Sequence, residues 1–62
     1  MLGKDLRNRR LSLGLSQAQL GLEWGFTRVS VWRWESGAED VARWASDALR
    51  GLEMRLQEGS KP

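Results

Sequence analysis

From Arg28 to Ser36 the chain reads Arg-Val-Ser-Val-Trp-Arg-Trp-Glu-Ser. Helical spacing turns Val31 and Trp34 inward. The surface that remains is Arg28, Val29, Ser30, Trp32, Arg33 and Ser36, with two bases and no acid. A guanidinium is a planar fork of donors that stays charged, so such a face is suited to anions and to paired acceptor edges. Catalysis has less to work with. The chain contains no histidine and no cysteine, which removes the usual general base, the usual metal ligands and a thiolate nucleophile. Asp5, Asp40, Asp47 and the glutamates are not paired in any pattern that suggests a cleft. No enzyme activity, no metal site and no cofactor is expected.

Charge is unevenly spread. Residues 1–37 hold Lys4, Arg7, Arg9, Arg10, Arg28 and Arg33 against Asp5, Glu23 and Glu35, while residues 38–62 hold four bases and five acids, for a net +2. A basic front half points to an anionic partner, although a solvated surface that is merely basic fits the same counts.

The elements that must position these groups read as helices throughout. A chain of 62 residues makes one domain with a marginal core, burying about 60% of its unfolded surface. At 40% apolar and 29% charged it has a globular composition. No apolar run could span a bilayer, and the opening MLGKDLRNRR lacks the core of a signal peptide. A cytoplasmic location is therefore expected. Leu2, Leu6, Leu11 and Leu13 mark a first helix over residues 2–13, closed by Gly14. Ser16 and Gln19 form a capping box that opens a second, running to Trp24 before Gly25. Thr27 caps a third, over residues 28–36. A fourth is expected from Glu39 to Glu58, with Val41, Trp44, Ala45, Ala48, Leu49, Leu52 and Leu56 on one face. Glu39 and Asp40 would sit at its positive end. Gly51 could divide it, but no capping residue follows directly, so one helix is preferred to two. The fold class is all-α, a small bundle of four helices, or five if Gly51 breaks the last. The domain spans 1–58 and 59–62 form a flexible tail.

The second and third helices are joined by only Gly25-Phe26-Thr27. Two short helices on a three-residue turn with glycine are the signature of a helix-turn-helix, here over residues 17–36. Leu20, Trp24, Val31 and Trp34 are spaced to meet across the turn, with Phe26 at the corner. Gly21 falls where the helices come closest.

The stretch LSLGLSQAQLGLEWGFTRVSVWRWESG resembles the Cro and phage-repressor (XRE-like) helix-turn-helix family. That family's pattern is Gly-Leu-Ser-Gln, Leu-small, hydrophobic-Gly, then hydrophobic-x-x-aromatic-Glu-x-Gly, and the match covers residues 6–37. The fold this implies is of the lambda-repressor-like type. By position, the resemblance implies that Thr27, Arg28, Val29 and Arg33 contact bases. Arginine can bond guanine O6 and N7 together, and Val29 or the Thr27 methyl can touch a thymine methyl. It also implies that Ser16, Gln17 and Ser36 meet phosphates, with Arg9 and Arg43 as weaker additions. Arg10 and Glu35 resemble a family pair that links the first helix to the end of the third.

Departures from the pattern bear on the rest. Gly21 stands where the family usually has alanine, which should loosen the second helix. No proline follows Gly37, and the part beyond is short. Trp24, Trp34 and Trp44 occupy core positions more often aliphatic. Several readings stay open. Arg28 and Arg33 could be solvated charges, and Arg10 and Glu35 two unrelated surface charges. Trp32 could stack on a deoxyribose, cover the first helix or face a partner subunit. The stripe from Val41 to Leu56 could be core or dimer surface, the candidates for the latter being Trp44, Leu52, Met54 and Leu56.

The function expected is a sequence-specific DNA-binding regulator, a repressor acting as a homodimer on an inverted repeat in double-stranded DNA. Two recognition helices about 34 Å apart would read successive major-groove turns. The alternative is an antitoxin or adaptor-type module that binds a protein partner, with DNA binding secondary.

Overall fold

The computed structural model describes residues 1–59, with side chains through Leu56. Four helices follow in order: α1 (Gly3–Ser12), α2 (Gln17–Trp24), α3 (Arg28–Ser36) and α4 (Ala45–Gly59), with no strand among the described residues. None of these helices is long and apolar enough to cross a membrane.

The first helix has almost no apolar face. Of its expected leucines only Leu6 is fully buried, while Leu2 and Leu11 are exposed. The position one turn on from Leu6 is filled by Arg10, a buried cation. α2 begins as its sequence implies. Ser16 Oγ accepts from the Gln19 backbone N–H at 3.0 Å, and Gln19 Oε1 accepts from the Ser16 N–H at 2.8 Å. Two orphan donors are thus satisfied reciprocally. Gly25 ends the helix at φ 75° and ψ 25°, in the left-handed region that a side chain disfavours.

From there the chain turns tightly, the Phe26 N–H donating to the Gly21 carbonyl at 2.7 Å. A Cβ on Gly21 would stand 2.8 Å from the carbonyl carbon of Thr27. The absence of a side chain is therefore what allows α2 to lie against the turn. Thr27 occupies the N-cap position of α3 in extended conformation, but its side chain makes no capping bond.

α4 starts six residues later than its acids suggest. Glu39 does not open a helix: its N–H donates to the Arg33 carbonyl at 3.2 Å and its Oε2 accepts from Trp34 Nε1 at 3.1 Å. The segment therefore folds back over the end of α3, and Asp40 remains in the connection. The acid in the first turn of α4 is Asp47. The helix runs unbroken through Gly51 to Gly59. Gly59 thus belongs to α4, and the rest of the expected tail, residues 60–62, lies outside the described residues.

The core joins Leu6, Leu20, Val31, Trp34, Leu49 and Leu52, with Leu13, Leu15, Trp24 and Val41 packed against it. An aromatic cluster seals one side. Trp44 meets Trp24 edge-on at 5.2 Å and Trp34 edge-on at 6.0 Å, and stacks on Phe26 at 5.5 Å between centroids. Offset and edge-to-face aromatic pairs of this kind each add about 0.5–1.5 kcal/mol beyond area burial. Two ion pairs fasten α4 from its flanks: Arg9 to Glu53 and Arg55 to Glu23.

Candidate nucleic-acid interface

At about 100° per residue, Arg28, Trp32, Ser36, Val29 and Arg33 fan across one side of α3 in that order. All five are exposed, as is Thr27 before them. The opposite side carries Val31 and Trp34 into the core, which fixes the rotation of the helix. Among the described residues no carboxylate lies within ion-pair distance of Arg28 or Arg33. Both guanidiniums are available to an outside partner.

Behind this face the helices are braced by a buried charge pair. Arg10 Nε donates to Glu35 Oε2 at 2.7 Å and Arg10 Nη2 to Glu35 Oε1 at 3.0 Å, while Nη1 donates to the Leu15 carbonyl at 2.8 Å. Glu35 Oε1 also accepts from Gln17 Nε2 at 3.1 Å. Four segments are tied at one carboxylate and one guanidinium: α1, the α1–α2 turn, the start of α2 and the end of α3. Full hydrogen bonding is what makes such a desolvated pair tolerable. No buried side-chain polar atom lacks a partner among the described residues.

Two shallow clefts lie beside α3. One, of about 260 Å³, is lined by Gln17, Arg28, Val29 and Trp32. The other, of about 280 Å³, is lined by Arg7, Arg10, Gln17, Trp32, Glu35 and Ser36. Gln17 sits at the first position of α2, where free N–H groups and the helix dipole favour an anion. Its Nε2 gives one proton to Glu35 and retains a second.

Of the other residues expected at a phosphate, Ser36 lines the second cleft, while Ser16, Arg9 and Arg43 line neither. Arg9 turns to α4 and hydrogen-bonds Glu53, with Nε to Oε2 at 3.1 Å and Nη2 to Oε1. That hydrogen bond raises the Arg9 pKa above its ordinary value, so Arg9 is a strut between helices and not a free cation. The Ser36 hydroxyl donates to the Arg33 carbonyl at 3.2 Å and accepts from the Ala38 N–H at 3.4 Å, capping its own helix. Ser16 Oγ accepts the Gln19 N–H in the capping box and keeps its own hydroxyl proton at the exposed start of α2. Arg43 is exposed in the connection before α4 and lines neither cleft.

The four residues of the candidate dimer surface are placed unequally. Leu52 is only 6% exposed and belongs to the core. Trp44 is committed on one face to the aromatic cluster of its own chain. Trp44, Met54 and Leu56 all keep exposed surface, at 42%, 57% and 37%.

One residue was not singled out in advance. Arg7 is exposed and lines the second cleft with Trp32. It lies one turn before Arg10 on α1, so the helical period that turns Arg10 toward Glu35 brings Arg7 over the edge of α3. Among the described residues no three of His, Cys, Asp and Glu could hold a metal ion. The chain matches no family model, no curated protein and no solved structure.

Proposed function

We propose that this chain is a sequence-specific DNA-binding regulator of lambda-repressor-like helix-turn-helix type, with α3 as the recognition helix in the major groove. The observation that carries the reading is the outward face of α3. It offers two guanidiniums without an acid, at the exposed edge of a helix whose rotation is fixed by Val31, Trp34 and the Arg10–Glu35 pair. Arg28 and Arg33 supply donor pairs for guanine, and Val29 and Thr27 supply methyl groups for thymine. Gln17 and Arg7 border this surface on the α1 and α2 side, where a duplex would present phosphates.

In this reading the protein acts in the cytoplasm as a repressor, by occupying a promoter, without cofactor or catalytic step. A homodimer on an inverted repeat is part of it, with Met54 and Leu56 as the exposed apolar groups at the far end of α4. A second reading, a protein-interaction module of antitoxin or adaptor type, is favoured by the strong exposure of Leu22 and the half-open edges of Phe26 and Trp44.

Selection of bound duplexes from a random pool tests the proposal. Enrichment of two half-sites in dyad arrangement is the expected result. A pool that stays random after repeated rounds at about 0.15 M salt, where surface charge attraction is screened beyond some 8 Å, would overturn it.

A further inference from the structure

Trp32 is 54% exposed and belongs to neither the core nor the aromatic cluster. Hydrating so large an apolar group is unfavourable, and α3 already has Val31 and Trp34 as inward anchors. Trp32 and Gln17 are the two residues common to both clefts beside α3. The indole therefore stands as a ridge, with Arg28 and Val29 on one side and Arg7 and Ser36 on the other. The acid that lines the second cleft, Glu35, is occupied by Arg10 and Gln17.

We propose that Trp32 is a DNA-contacting residue whose indole packs against the C–H edge of a deoxyribose, a step that rests on the DNA-binding reading above. The position of the ridge carries the assignment. Round α3, Trp32 falls between Val29, toward the middle of the outward face, and the edge where Gln17 of α2 and Arg7 of α1 border it; in the DNA-binding reading the first would face bases and the second phosphates. In a duplex the group between base edge and phosphate is the sugar. An indole offers it a flat apolar surface of matching character, while the guanidinium of Arg7 beside the ridge can take the negative charge of the strand. Val29, nearer the centre of the face, is left to meet base methyls. The contact carries no base preference of its own and sets how closely α3 seats in the groove.

The test pairs Trp32→Ala with a sugar scan of the selected duplex, in which each deoxyribose of a half-site is replaced in turn by ribose. Alanine is a better helix former than tryptophan, and Trp32 lies outside the core, so the variant should retain wild-type helix content by circular dichroism. Its affinity should fall about tenfold, the loss expected when roughly 50 Å² of apolar surface is no longer removed from water. The base preference should not change. With the wild type, one added 2′-hydroxyl per half-site should weaken binding, because it forces a polar group against the indole. With Trp32→Ala that particular penalty should vanish. Unchanged affinity of the variant, or a ribose penalty that persists in it, overturns the inference and leaves the DNA-binding reading standing. Loss of preference at one base pair overturns it in favour of a base contact. Failure of the wild type to bind any duplex overturns the DNA-binding reading and this inference with it.

Discussion

The guanidinium of Arg10 grips the carboxylate of Glu35 at two points, 2.7 and 3.0 Å, with only 8% and 4% of the two side chains exposed. Removing either partner leaves a charge in a place that water scarcely reaches. Glu35→Ala also strands one amide proton of Gln17. A cost of about 3–5 kcal/mol is expected for breaking a buried pair, which is close to the whole stability of a domain this small. Far-UV circular dichroism should find Glu35→Ala largely unfolded at room temperature. The exposed pair of Arg55 and Glu23 is the control, since Glu23→Gln should cost no more than about 1 kcal/mol. Equal melting of Glu35→Ala and the wild type would refute the bracing role.

The Arg9–Glu53 pair gives the fold a small dependence on acid. The hydrogen bond from Arg9 holds the Glu53 carboxyl below its ordinary pKa, against an opposing contribution from partial burial. A carboxylate whose folded pKa is lowered stabilises the protein above its unfolded value. That contribution fades as the pH drops below about 4.3 and on through the folded value. Both side chains are about a third exposed, so solvent limits the gain to about 0.2–1 kcal/mol. The wild type should melt slightly above Glu53→Gln at pH 7, and the difference should shrink as the pH falls through the acid range. A difference that grows on acidification would be the wrong sign.

Gly21 separates propensity from geometry. Replacing a helical glycine by alanine would ordinarily stabilise by about 1 kcal/mol. Here the new Cβ would meet the carbonyl carbon and oxygen of Thr27 at 2.8 and 2.9 Å and the Phe26 carbonyl at 3.0 Å. Backbone must then move, and overpacking of this kind costs about 1–3 kcal/mol. Gly21→Ala is therefore expected to lower the midpoint of urea unfolding. A raised midpoint would mean that the turn yields freely.

Much of the α2–α3 unit is legible in the sequence because its determinants are local. Ser16 and Gln19, Gly25, and the spacing of Leu20, Trp24, Val31 and Trp34 each act within a few residues. The segment after Gly37 is different. Glu39 and Asp40 look like the acids of a helix N-terminus, yet the Glu39 carboxylate is claimed by the Trp34 indole N–H, and helix starts only at Ala45. Arg9 carries no local sign that its partner is Glu53, 44 positions away. Within the α4 stripe, periodicity aligns Leu52 with Leu56 but cannot tell where the bundle ends; Leu52 is the last residue it covers. Gly3 gave no signal either, although a Cβ there would overlap the Trp34 carbonyl oxygen and its absence lets α1 approach the end of α3.

The central claim, that the outward face of α3 reads base pairs, is tested most directly by titrating Arg28→Ala and Arg33→Ala against the selected duplex and its single-base variants. Each arginine variant should lose about 1–3 kcal/mol of specific binding and relax preference at one base position per half-site. Gln17→Ala, beside the strand, should weaken all sequences alike. Arginine variants that keep both the wild-type affinity and the wild-type base preference would contradict the account.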